Sequence, residues 1–61
     1  MKYHVFDNLS GMFVHPDNNL NPVEPYIFNS FESALAAKWA VLAANHDKHS
    51  DFIEIQPLDL D

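Results

Sequence analysis

The chain has no cysteine. That excludes disulfide staples, thiolate metal ligands and a cysteine nucleophile. Cations are nearly as scarce: three Lys or Arg stand against nine Asp or Glu, a formal net charge of −6 with neutral histidine. Phosphate backbones reward Lys and Arg, so direct binding to DNA or RNA is not expected. An anionic membrane surface repels such a chain as well. No apolar run approaches the roughly 20 residues that a membrane-spanning helix needs. The first residues, MKYHVFD, lack the apolar core and small-residue cleavage site of a signal peptide. The expectation is a cytoplasmic protein.

Size sets the next bound. With 61 residues the chain makes one domain at most. Such a domain buries only roughly 60% of its unfolded surface, so its stability is marginal without reinforcement from a partner or a second copy. A hydrophobic content of 48% nonetheless argues for a packed core over disorder. A single small domain over 1–57 is expected, with 58–61 as an acidic tail.

Residues 2–7, KYHVFD, are aromatic and β-branched and read as a strand. Asn8, Ser10 and Gly11 supply turn chemistry, and Gly11, the single glycine, is the best candidate for a positive φ. Met12-Phe13-Val14 returns as the second strand of a hairpin. Residues 15–25, HPDNNLNPVEP, hold three prolines and three asparagines and read as an irregular loop. Tyr26-Ile27-Phe28 is either a short third strand or a buried approach to a helix. Asp51 to Gln56 alternates enough to read as the last strand, ended by Pro57. The expected fold is α+β: a three- or four-stranded, mainly antiparallel sheet with one helix on one face, in the order β-β-(β)-α-β. If the third and last strands lie in the same sheet, their crossover through the helix is expected to be right-handed.

The helix is the most informative element. From Ser30 to His46 the sequence SFESALAAKWAVLAANH carries charge only at Glu32 and Lys38. A surface helix normally buries one stripe and shows water a charged face. Asn29 with Glu32 fits a capping box, and Ser30 is an equally good N-cap. At 100° per residue Phe31, Leu35 and Leu42 cluster, flanked by Trp39, Val41 and Ala34, and this side is expected on the sheet. The opposite side collects Ala36, Ala37, Ala40, Ala43 and Ala44. Two readings fit it: exposed helix-forming alanines, or a face where small side chains let a second helix or a partner approach, as in a homodimer. Lys38 either snorkels across the core edge or pairs with Glu54.

Candidate chemistry is sparse. His46, Asp47, His49 and Asp51 form a compact cluster, but its spacing matches no closed zinc site, so no metal is expected. His4 and His15 could face one another across the hairpin. Ser10, Ser30, Ser33 and Ser50 lie in no nucleophile elbow. A catalytic pocket of a few hundred Å³ is hard to build in so short a chain. No enzyme activity and no cofactor are expected. Tyr3, Phe6, Phe13, Tyr26 and Phe28 lack the cations of a base-stacking platform, with Lys2 the only one nearby.

A binding module remains. In size, acidity and compact α+β order the chain resembles the small acidic proteins encoded by phages and mobile elements, which bind and disable a host enzyme. That resemblance implies an inhibitor of a polymerase, nuclease or defence complex, acting in the host cytoplasm. Its partner would be a protein with a basic surface, steered by acids and anchored by aromatics. The expected contacts are Asp7, Asp17, Glu24, Tyr26, Trp39, Asp47 and Asp51. A strict DNA mimic is a narrower version that needs its carboxylates gathered on one face. The alternative is a homodimeric structural or regulatory domain with no nucleic-acid-related target, joined through the alanine face or by edge-strand pairing.

Overall fold

A computed structural model describes residues 1–45 and 49–58. Four strands form one antiparallel open sheet: β1 (Lys2–Asp7), β2 (Met12–His15), β3 (Asn19–Asn21) and β4 (Ile53–Leu58), in the spatial order β3-β2-β1-β4. One helix, α1 (Phe31–Ala44), packs on one face.

The first hairpin is closed by a side chain. Asp7 ends β1 fully buried, and its carboxylate accepts from the Leu9 amide at 2.9 Å, the Ser10 amide at 3.4 Å and the Ser10 hydroxyl at 2.9 Å. The Gly11 amide donates back to the Asp7 carbonyl at 2.8 Å. Gly11 takes φ +74°, the left-handed conformation expected of it.

The third strand lies elsewhere than the sequence suggests. Asn19–Asn21, inside the Pro- and Asn-rich stretch, pairs with β2 through Val14↔Leu20. The connection Pro16–Asn18 is a tight turn in which Asp17 and Asn18 both have φ 61° and the Asn19 amide donates to the Pro16 carbonyl. Two consecutive left-handed residues make the type I′ turn whose twist matches a hairpin, and Asp and Asn tolerate that conformation. Tyr26–Phe28 contributes one bridge only: Tyr3 and Phe28 exchange both backbone bonds, at 2.9 and 2.8 Å. Because β4 already lies on the other side of Tyr3, Phe28 occupies the lane that β2 vacates after His15.

The last strand runs through Pro57 instead of stopping at it. Tyr3 commits its amide and carbonyl to Phe28, so Tyr3↔Pro57 is a pair without hydrogen bonds between the two strands. The nitrogen of Pro57 therefore faces the open edge of the sheet, where no donor is required. Leu58 pairs with Lys2, so the strand reaches one residue into the expected tail, and 59–61 lie outside the described residues. The last two strands in sequence, β3 and β4, run antiparallel at opposite edges, so the handedness rule for parallel crossovers has nothing to act on.

The helix begins as expected at Ser30, whose hydroxyl accepts from the Ser33 amide at 3.1 Å. Asn29 is not the cap, and its side-chain oxygen accepts from Lys2 Nζ at 2.6 Å. At the other end the Asn45 side chain donates to the Val41 carbonyl. The core comprises Val5, Val14, Phe28, Ala34, Ala37, Val41 and Ile53. The helix thus lays Ala34, Ala37 and Val41 on the sheet, while Phe31 and Trp39 remain 49% and 54% exposed. Relative to the expected orientation α1 is turned by roughly 90° at 100° per residue. The reason is volume. Phe28 and the β-branched strand residues already fill the interior, so small helix residues fit beneath the axis and the large ones are displaced to the flank.

Candidate partner-binding surface

Rotation of the helix decides what it shows to solvent. Ala36, Ala40, Ala43 and Ala44 are exposed beside Trp39, with Glu32 the charge on that side. Ala37, expected in the same stripe, is buried in the core. Lys38 is half-buried on the opposite flank, where it lines a groove with Glu54. The outer face of α1 is consequently almost free of charge, the reverse of the usual amphipathic arrangement.

Two open grooves flank the helix. The first, with a cavity volume of about 470 Å³, lies between α1 and the Tyr26–Asn29 segment. Ser33, Ala36, Ala37 and Ala40 make its helical wall, and Asp17 is the charged residue that lines it. The second, about 530 Å³, lies between Phe31, Leu35 and Lys38 of the helix and strand β4, with Asp51 and Glu54 at its margin. The first brings one carboxylate and one serine hydroxyl together with no histidine, which does not make an acid–base–nucleophile set.

The other face of the sheet carries an aromatic strip. Phe6 and Phe13 are direct cross-strand partners with ring centroids 5.1 Å apart, and His4 meets Phe13 edge-on at 5.5 Å. His4 Nε2 donates to the Gln56 amide oxygen, and His15 Nε2 donates to the Glu24 carbonyl at 2.6 Å. The two histidines are thus each committed to a different partner. All four rings are half-buried.

The expected contact residues scatter accordingly. Asp17 and Tyr26 meet at the first groove. Trp39 stands on the outer helix face beside it. Glu24 lies on the loop tied to His15, and Asp51 borders the second groove. Asp7 offers nothing to a partner in this conformation, because it is fully buried and holds the β1–β2 turn. Asp47 lies outside the described residues, as does His46 of the histidine–aspartate cluster; among the described residues no group of three metal-ligating side chains converges. Glu32 on the outer helix and Glu54 on the far sheet face point to opposite sides of the molecule. The single row of carboxylates that a strict DNA mimic needs is not present among the described residues.

The sequence reading missed the first groove as a unit. Its signal was the Asp17-Asn18 pair, a type I′ turn dipeptide between two short extended runs. No protein-family model, curated protein or solved structure matches the chain. Among the described residues no helix is long and apolar enough to cross a membrane.

Proposed function

We propose that the chain is a non-enzymatic protein-binding module that docks through the outer face of α1 and the groove beside it. The proposal extends to an inhibitor that occupies a basic surface of a nucleic-acid-handling host protein. The observation that carries it is the outer helix face, where Trp39 is 54% exposed among alanines and Glu32 is the charge. Contiguous apolar surface of this kind marks interaction sites, and an exposed tryptophan is a preferred anchor. Net acidity supports a basic partner through steering and selectivity against acidic ones.

Tagged chain incubated with host lysate at low and raised salt tests this, with Trp39→Ala and Ala40→Arg alongside. Ala40→Arg falls at an exposed position, where effects on folding stay within about 0.5 kcal/mol, and Trp39→Ala at a half-exposed one should cost about 1 kcal/mol, so a urea melt of each variant checks that it remains folded. The expected result is one nucleic-acid-handling protein retained by the wild type, released by salt, and lost in both variants. Retention of the same proteins by all three chains overturns the surface assignment. Recovery of untagged copies of the chain alone supports the second reading, a homodimer joined through Ala36, Ala40, Ala43 and Ala44.

A further inference from the structure

We infer that the groove between α1 and Tyr26–Asn29 receives an arginine of the protein partner, whose apolar neighbour lies on the helix alanines. The inference rests on the protein-binding reading and names what that surface recognises. Four observations converge on it. The helical wall is Ala36, Ala37 and Ala40 with Ser33, so nothing longer than a hydroxymethyl group keeps an incoming chain at a distance. The charged lining residue is Asp17, and its carboxylate has no hydrogen-bond or ion-pair partner among the described residues.

Asp17 is also held in place. It sits in a type I′ turn closed by the Asn19 amide and, at 3.0 Å, by the Asn19 side chain on the same Pro16 carbonyl. Tyr26 lines the same groove, 42% exposed, with its ring tilted against Phe28 at 4.7 Å and His15 at 5.6 Å. A carboxylate on a backbone held by its turn, and an aromatic ring packed against two others, lie in one groove and match a guanidinium group, which pairs bidentately with the one and stacks on the other. A lysine ammonium supplies the charge without the planar fork. The neighbouring cation, Lys2, is already bound to Asn29.

The same chemistry argues against a second copy as the occupant. The three cations of this chain are Lys2, Lys38 and Lys48, and it contains no arginine. The guanidinium must come from a different protein.

The test is a titration of the isotope-labelled full chain, followed by amide NMR, with the capped dipeptide N-acetyl-Leu-Arg-amide. Parallel titrations use the citrulline analogue, which keeps the shape and removes the charge, and the lysine analogue. Shifts confined to the groove amides, including Tyr26, Ser33, Ala36 and Ala40, are expected. Affinity should fall about tenfold with citrulline and about tenfold in Asp17→Asn, a substitution that keeps both the size and the tolerance for left-handed φ. Lysine should fall between arginine and citrulline. Equal affinity for arginine and citrulline, indifference to Asp17→Asn, shifts confined to the groove beside β4, or no groove shift at all overturns the inference. So does a change in groove resonances with protein concentration alone, which would place a second copy there. If the dipeptide fails while capture still depends on Trp39 and Ala40, only the arginine assignment falls and the binding surface stands.

Discussion

The two sides of α1 are built from nearly the same residues and behave oppositely. Ala34, Ala37 and Val41 are buried against the sheet, while Ala36, Ala40 and Ala43 lie in solvent beside a half-exposed tryptophan. Alanine is therefore not informative by type. What separates Ala37 from Ala40 is the volume already present beneath the helix, supplied by Val5, Val14, Ile53 and, above all, Phe28. A helix with a strong apolar stripe would have one orientation dictated by its own sequence. This one takes its orientation from what it lands on, and its uncommitted side is left apolar.

Placing the same charge on each side gives the sharpest test of that contrast. Ala37→Glu puts an unpaired carboxylate in the core, and with a small domain's few kcal/mol of stability the chain is expected to lose cooperative urea unfolding altogether. The phenylalanines on either side of the helix start make the second comparison. Phe28→Ala should cost about 3–5 kcal/mol, whereas Phe31→Ala, at a half-exposed position, should cost about 1 kcal/mol. Reversal of that order in urea melts would return Phe31 to the core and undo the rotated helix. Removing the cap with Ser30→Ala loosens both sides together, with an expected loss of about 1 kcal/mol in the same assay. The smallest effect is the informative partner of the largest: Ala40→Glu should leave stability within about 0.5 kcal/mol of wild type.

Much of this architecture was legible. The KYHVFD strand, the Gly11 turn, the return strand and the Ser30 cap all carry local signals strong enough to survive in the fold. What was not legible depended on partners. Asn19–Asn21 is a strand because β2 offers it an edge, not because its own residues favour extension, and prolines around it pointed to a loop. Pro57 reads as a terminator until Tyr3 is known to bond to Phe28, after which its missing donor faces outward harmlessly. The face of α1 was misjudged because hydrophobic mass along the helix was weighed without the mass beneath it. Asp7 looked like a surface acid for a related reason: its neighbours in sequence, Leu9 and Ser10, supply the donors that let it be buried.

The register between β1 and β4 has a mechanical consequence. Lys2 lies opposite Leu58 and Asp7 opposite Ile53, so the two strands that are farthest apart in the chain meet side by side with their outer ends together. A load applied between those ends does not stretch the six paired positions at once. It opens them in turn, like a zip, beginning at Lys2 and Leu58. Pulling the chain from Leu58 would peel the edge strand away first and uncover Val5 beneath the helix, so this fold should yield to a small steady force far more readily than its resistance to urea would suggest.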